Sequence, residues 1–322
     1  MPATITHAVF AKDVYDVLPG NIKEKINIKR CKMFSQSTDS LLFYNLFSVF
    51  PGKKIRDFHT TFHSKKSQDF FINILKYIRD SKIDDIDIYS FLVGVICHFV
   101  LDSTLHPYII YKTGFFKKTD PNTYKYNKAH DFMETFIDND IVKRRLNENP
   151  YKFDFINYCF DIYPFSEPLN NLIDYSFFNV FKLKSMSKIY YKSLKQMKYS
   201  LVIFRKDSFG IKKNIYKLID TFTPRRCFRF EAISYHYPLD DRHNYLNSNH
   251  SLWRNPSAYG IVSTESFADL YIKSIKQAKV LVCASFDYLS GKDIDLEKVF
   301  PNISYLNGLD CSLKKDLKYF EF

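Results

Sequence analysis

Apolar residues recur three and four positions apart along most of this chain, a spacing that predicts α-helices. Helices are predicted over residues 7–18, 41–50, 64–79, 86–105, 128–146, 169–181, 187–204 and 264–289. The segments 112–128 and 235–259 are polar and irregular, and they are predicted to be loops, the second of them long and ordered. Strand-like alternation is scarce, so the predicted fold class is all-α.

The pattern contains no internal repeat and no obvious linker. We therefore interpret residues 1–322 as a single α-helical domain, with candidate site residues in 1–140 and a helical extension in the second half. A division near residue 165, between Pro164 and Pro168, is the alternative.

Glycine is unusually rare in this sequence, at 8 residues where average usage would give about 23. So few glycines argue against phosphate-binding glycine loops and against a βαβ fold built on tight glycine turns. Hydrophobic residues make up 46% of the chain and charged residues 25%, a balance typical of globular proteins and not of disordered ones.

The formal net charge is +12. A basic surface in contact with water would account for it, and so would an anionic partner such as a phosphoester, a nucleic acid or an acidic lipid surface. The basic residues are spread along the sequence, which weakens the case for a dedicated nucleic-acid-binding tail.

Three features bear on compartment. The six cysteines form no CxxC pair, and we expect them to be reduced and mostly buried. The N-terminus shows no secretory signal pattern, and the longest apolar run, 91–101, is shorter than the roughly 20 residues of a membrane span. We therefore expect a cytoplasmic protein without a transmembrane segment.

Three potential metal ligands, His98, Asp102 and His106, follow one another at four-residue intervals in the most apolar segment. Four residues advance a helix by about 6 Å and return to nearly the same face, so these side chains form one stripe. A stripe of this length fits two ions side by side, with Asp102 between them. A core histidine or a salt-bridged aspartate would explain each residue singly, but a buried carboxylate without a partner cation is costly.

A second helix carries a similar pair, because His130 and Glu134 share the four-residue spacing. Imidazole and carboxylate are both zinc ligands, although such a pair also occurs on helix surfaces without any metal.

Further candidates lie elsewhere in the first half of the chain. His63 is predicted to begin the helix 64–79, and His7 lies in an apolar helix. Asp39 lies at a predicted helix start, where capping is an alternative role. His59 is interpreted as a neighbour of His63 that is less suited to the site.

In this order the residues resemble the zinc-dependent phospholipase C family, a superfamily that also contains zinc nucleases acting on single-stranded nucleic acid. The resemblance is carried by Thr6-His7, the run 35–39 (SQSTD), His63, His98-x3-Asp102, His106 and His130-x3-Glu134, and it extends into 246–256 and Ser266-Phe267. It implies an all-helical fold with a cluster of two or three zinc ions in a cleft.

The resemblance also implies which residues bind each ion. One zinc would be held by Asp39, His63, His98 and Asp102; a second by His7 with Asp102 as the bridge; a third by His106, His130 and Glu134. Secreted members of the family use an N-terminal Trp as a ligand, whereas this chain begins Met1-Pro2 and has its single Trp at position 253. The interval between Asp102 and His106 also looks shorter than in the secreted enzymes.

The function implied is that of a phosphodiesterase, with water activated by the metal cluster and with Asp39 orienting that water or accepting its proton. Among anionic phosphoesters, phospholipid is favoured over nucleic acid as the substrate. The alternatives are a zinc-dependent nuclease or nucleotidase on the same scaffold, and a non-catalytic helical protein that retains a structural metal site.

Overall fold

The computed structural model describes residues 4–225, 227–236, 241, 243–313 and 315–321, and it is 61% helical, which confirms the all-α prediction. The α-helices are α1 (Thr4–Val17), α2 (Gly20–Lys23), α3 (Ile28–Phe34), α4 (Lys53–Ser64), α5 (Ser67–Asp80), α6 (Ile86–Thr113), α7 (Ala129–Arg144), α8 (Phe155–Cys159), α9 (Glu167–Phe181), α10 (Met186–Phe204), α11 (Ile211–Phe222), α12 (Phe267–Leu289) and α13 (Leu296–Val299). Short 3-10 helices span Ser37–Phe43, Pro121–Tyr126 and Glu231–Ile233. Strands β1 (Trp253–Asn255) and β2 (Ala258–Ser263) pair antiparallel.

Helix α6 is the centre of the fold, and α1, α3, α7 and α12 pack around it. This helix is long and apolar enough to cross a membrane, with a mean hydropathy of 1.7. However, 94% of its most apolar stretch of 18 residues is buried inside the protein. The helix begins where the side chain of Asp85 accepts a hydrogen bond from the backbone N–H of Ile88. The sequence pattern of this helix is therefore that of a core element.

The prediction that this helix stops before Pro107 is wrong, because α6 continues through the proline to Thr113. A proline cannot donate to the carbonyl four residues earlier, which here belongs to Ser103. Gly308 packs closely against that carbonyl: a Cβ atom added to Gly308 would lie 2.7 Å from the Ser103 oxygen. The C-terminal segment thus covers the position where the proline interrupts the helical hydrogen bonds.

A second close approach joins α6 to α3. A Cβ atom on Gly94 would lie 2.5 Å from the Cβ of Phe34, so only glycine permits this separation between the two helices. Ser35 follows α3 directly, and the approach brings its carbonyl oxygen within 2.9 Å of the Nδ1 of His98. Packing between the helices therefore helps to position a candidate ligand.

The prediction of a helix over residues 41–50 is also wrong. A 3-10 helix ends at Phe43, and several apolar residues beyond it are exposed, with Phe47 at 67% and Val49 at 98%. The chain then enters α4, which the pattern did not predict. His63 lies in the last turn of α4, and the next helix, α5, starts later than predicted, at Ser67.

In the second half, α9, α10 and α12 lie close to their predicted positions, whereas α11 was not predicted. The segment predicted as one long loop over 235–259 contains β1 and the start of β2. Residues 237–240 and 242 of that segment lie outside the described residues. The hairpin packs against α6 through β1, which supplies the partner that this short strand pair needs for stability.

A buried ion pair ties α3 to the start of α6. The guanidinium of Arg30 donates to both carboxylate oxygens of Asp87 at 2.9 and 2.7 Å, and both side chains are nearly inaccessible to solvent. We expect Asp87→Ala to lower the free energy of unfolding by about 3–5 kcal/mol, because it leaves a buried charge without its partner. Asp16→Ala, which breaks an exposed pair with Lys12, is the control and is expected to cost at most about 1 kcal/mol. Equal losses in chemical denaturation would contradict this interpretation.

Candidate metal centre

The structure brings the eight side chains singled out in the sequence into one continuous cluster of imidazole and carboxylate groups. They come from five elements: His7 on α1, Asp39 on the 3-10 helix Ser37–Phe43, His63 on α4, His98, Asp102 and His106 on α6, and His130 and Glu134 on α7. All of these residues except His130 are buried, and the His130 side chain is 28% exposed. Residues that are far apart in the chain therefore converge, while their role as zinc ligands stays a prediction.

Asp102 lies at the middle of this cluster. Its Oδ1 is 3.2 Å from the Nε2 of His7, and its Oδ2 is 3.2 Å from the Nε2 of His98 and 3.4 Å from that of His63. The Nδ1 of His106 lies 3.6 Å from the same Oδ2. The two oxygens of one carboxylate thus face different sets of imidazoles, the arrangement that the stripe on α6 predicts.

Asp39 forms a second focus of the cluster. Its Oδ1 is 3.3 Å from the Nε2 of His63 and 2.7 Å from the Nε2 of His59. Sequence reasoning set His59 aside, yet it lies closer to Asp39 than His63 does. The signal was present, because His59 and His63 have the same four-residue spacing as the pairs that were selected.

Glu134 forms the third focus. Its Oε1 is 2.9 Å from the Nε2 of His130 and 3.6 Å from the Nε2 of His106. These three residues form a set whose ligand atoms all lie within 4.8 Å of one another, and it is the set expected for the third ion.

Among the described residues, two further sets have ligand atoms that all lie within 4.8 Å of one another. Their members differ from the sets that the family resemblance implies. One contains His7, Asp39, His98 and Asp102, and the other contains Asp39, His59 and His63. The carboxylate shared between these two sets is therefore Asp39, whereas the family resemblance places the bridge at Asp102.

Three histidines are held by backbone carbonyls. The Nδ1 atoms of His63, His98 and His106 lie 2.9, 2.9 and 3.0 Å from the carbonyl oxygens of His59, Ser35 and Tyr305 respectively. A carbonyl oxygen can only accept a hydrogen bond, so each Nδ1 is the protonated donor. The Nε2 atoms of these rings therefore face the carboxylates, and such outer contacts commonly fix histidine ligands in metal sites.

The electrostatics of the cluster favour a cation. Burial disfavours a charged imidazole, but hydrogen bonds and charge from Asp102 and Asp39 outweigh it and raise the pKa of His63 to about 10. Burial also opposes ionisation of the two carboxylates, yet the surrounding imidazoles hold the pKa of each well below its usual value. Burial dominates at His98 and lowers its pKa to about 4. The ionised acids thus require positive charge that only some of the imidazoles can supply.

The donor set and its spacing fit zinc. Imidazole nitrogen and carboxylate oxygen are both zinc ligands, and four ligands bonded at about 2.1 Å to a tetrahedral ion lie roughly 3.4 Å apart. The contacts of the Asp102 oxygens with the Nε2 atoms of His7, His63 and His98 span 3.2–3.4 Å. Two buried atoms, Asp39 Oδ2 and His7 Nδ1, have no hydrogen-bond partner within the part of the chain that the structure describes. A void of about 20 Å³, enough for one water-sized occupant, is lined by side chains that include His7, Asp102, His106 and Glu134.

Comparison with known families agrees with this chemistry. The family model for zinc-dependent phospholipase C matches residues 6–175, slightly more than half of the chain. The chain belongs to the zinc-dependent phospholipase C family. Comparison with curated proteins and with solved structures finds no significant match. All eight predicted site residues lie inside the matched range, and membership in this family together with the buried cluster identifies a potential zinc-binding site.

A C-terminal segment outside the range matched by the family model also contacts the cluster. The backbone N–H of Tyr305 and the hydroxyl of Ser304 both donate to the carbonyl of His63, at 2.9 and 3.1 Å. The carbonyl of Tyr305 accepts from His106, and its ring packs 4.8 Å from the ring of His63. No sequence signal separated Tyr305 from the other tyrosines, because its polar contacts are made by backbone atoms.

Proposed function

We propose that this protein is a zinc-dependent phosphodiester hydrolase of the phospholipase C type that acts on phospholipid. The observation that carries the proposal is the buried convergence of imidazoles and carboxylates around Asp102, within a chain of this family. Bound zinc would supply Lewis-acid chemistry, neutralising charge at the phosphodiester and making water more acidic.

Three sets of residues would hold zinc in this proposal. His130, in the set on α6 and α7 with His106 and Glu134, is the most exposed member, at 28% against 18% for His59 in the set with Asp39 and His63, and this favours approach of the substrate from the side of His130. The set of His7, Asp39, His98 and Asp102 is fully buried.

Asp39 is the residue proposed to orient the attacking water. Its Oδ1 is engaged by His59 and His63, whereas its buried Oδ2 has no hydrogen-bond partner among the described residues. Because its pKa is held low, this carboxylate is ionised at neutral pH and can orient a water molecule through Oδ2. His59 would keep the carboxylate in place through its 2.7 Å contact with Oδ1.

The net charge of +12 favours anionic substrates of either kind, so it does not separate lipid from nucleic acid. A nuclease on this scaffold would be expected to stack a base on an aromatic ring beside the metals. Tyr305 contacts the rings of His63 and His98 but is only 1% exposed, so it offers no free face to a base. This observation and the matched family favour phospholipid.

The test combines metal analysis with two substrates. We expect the purified protein to contain two or three zinc ions and to release diacylglycerol from a soluble short-chain phosphatidylcholine, with the activity lost on chelation. Activity on single-stranded DNA without activity on the lipid would replace the proposal with the nuclease alternative. One tightly held zinc without turnover on either substrate would indicate a structural metal site.

A further inference from the structure

Helix α11 turns its apolar face outward. Ile211, Ile215, Leu218 and Phe222 recur at helical spacing and form one stripe. Their exposed fractions are 62, 50, 61 and 80%. A surface helix normally buries such a stripe against the core. The stripe on α11 has the opposite orientation.

The inner face of α11 is held by polar contacts. The Tyr216 hydroxyl donates to the carbonyl of Phe204 at 2.8 Å. The two carboxylate oxygens of Asp220 accept from the backbone N–H groups of Phe230 and Glu231, each at 3.0 Å. Tyr216 and Asp220 are also the buried residues of this helix. Specific hydrogen bonds therefore fix the orientation that exposes the apolar stripe.

Other exposed apolar residues lie just before α11 in the sequence or beside the end of α10. Phe209, shortly before α11, is 89% exposed. The segment 46–50 adds Phe47, Val49 and Phe50, which are 67, 98 and 68% exposed, and the Phe47 ring lies 5.5 Å from that of Phe204 at the end of α10. We call α11, Phe209 and residues 46–50 together the apolar face. Extended apolar patches of this kind mark binding surfaces in soluble proteins.

The charges beside the apolar face are mainly positive. Lys206 and Lys217 are exposed, and Lys212 is half-buried beside the stripe. The acids between residues 203 and 222 are Asp207 and Asp220, and both accept hydrogen bonds from backbone N–H groups. An outward apolar stripe flanked by lysines is the pattern of a helix that lies in the interface of an anionic membrane.

The apolar face lies close to elements of the candidate metal centre. Residues 46–50 connect the 3-10 helix of Asp39 to α4, which carries His59. The polar side of helix α11, through Lys217, Asp220 and Thr221, and the segment 124–128 line a common cleft of about 410 Å³, and that segment ends two residues before His130. His59 and His130 are the partly exposed members of the cluster. A membrane held at this face would therefore lie near the accessible part of the site.

We propose that the apolar face docks the protein on the surface of an anionic phospholipid membrane. This inference deepens the proposed function and rests on it for the identity of the substrate. Apolar side chains would enter the boundary between headgroups and acyl chains, and the lysines would contact anionic headgroups.

The test measures co-sedimentation with vesicles in the presence of a chelator, so that binding is separated from turnover. We expect binding to vesicles that contain phosphatidylglycerol, weaker binding to pure phosphatidylcholine, and a decrease with salt. The triple variant Ile215→Ser, Leu218→Ser and Phe222→Ser should lose at least about tenfold in vesicle affinity. The control is Ile272→Ser with Val280→Ser, at exposed positions on α12, which should bind like the wild type.

The outcomes separate this inference from the proposed function. Vesicle binding without hydrolysis of the soluble short-chain lipid would support the docking surface and refute the proposed enzyme activity. Hydrolysis of the soluble lipid without vesicle binding would refute the docking surface alone. The docking surface would also be refuted if the wild type forms a dimer in sedimentation velocity that the triple variant dissociates, while neither protein binds vesicles. The triple variant is expected to keep wild-type activity on the soluble lipid, because none of its positions contacts the cluster.

Discussion

Replacing Asp102 with Asn should reduce kcat/KM on a soluble phospholipid by at least about a thousandfold, or roughly 4 kcal/mol of transition-state stabilisation. One oxygen of Asp102 faces His7 and the other faces His63, His98 and His106. An amide of the same shape keeps the packing but removes the negative charge that draws cations into the cluster. We therefore expect loss of bound zinc together with loss of activity, measured by metal analysis and by product release.

Two control measurements test whether misfolding, or the loss of any carboxylate, would explain the loss of zinc and activity. Thermal unfolding of the chelated Asn variant and the chelated wild type should show that both are folded. Asp16→Asn, which removes an exposed carboxylate on α1, should retain zinc and activity. If Asp102→Asn keeps its full zinc content and its activity, then Asp102 is not the centre of a functional metal site.

The proximity of several candidate ligands could be predicted because their strongest signals are local. A four-residue interval places side chains on one helical face whatever the tertiary structure, so His98, Asp102 and His106 were paired correctly from spacing alone. The pair His130 and Glu134 follows the same rule. Convergence between helices is a tertiary property, and it was anticipated through the family resemblance and not through the pattern.

What escaped prediction depends on backbone atoms and on long-range contacts. The backbone carbonyls of Ser35 and Tyr305 orient His98 and His106 respectively. The pattern of side chains in a sequence does not indicate which backbone carbonyls will make such contacts. The continuation of α6 through Pro107 is another example, since it coincides with close packing of Gly308 against the chain at Ser103. Local rules stop a helix at proline, and a contact about two hundred residues away in sequence changes the outcome.

The apolar segments near residues 46–50 and 211–222 show a different limit. Periodicity identifies an apolar stripe but does not indicate whether that stripe packs against the core or is exposed at the surface. The first segment was predicted as part of the helix 41–50 and proved to be exposed and non-helical, and the stripe of α11 faces outward. Sequence alone therefore predicted the grouping of imidazoles and carboxylates better than it predicted the surface beside it.

Removing zinc should lower the melting temperature by roughly 6 °C at neutral pH. A ligand present at about a thousand times its dissociation constant contributes about 4 kcal/mol to the free energy of unfolding, and for a chain of this size each kcal/mol shifts the midpoint by about 1.5 °C. Calorimetry of the zinc-loaded and chelated protein measures the difference. Arg30 and Asp87 lie at a separate buried ion pair, so Asp87→Ala should lower both midpoints by a similar amount.

The difference in melting temperature between the zinc-loaded and the chelated protein should also widen as the pH rises from about 6.5 to 8.5. In the chelated protein, Asp102 and Asp39 hold the pKa of His63 at about 10 against the opposing effect of burial, whereas in the unfolded chain it is about 6.5. The stability that this proton contributes is complete below pH 6.5 and declines as the pH rises toward 10, because over this interval the folded state holds a proton that the unfolded chain has released. Zinc competes with the same proton, so its affinity rises over the same interval. A zinc-dependent difference that stays constant or shrinks across this range would show that His63 does not take part in binding the metal.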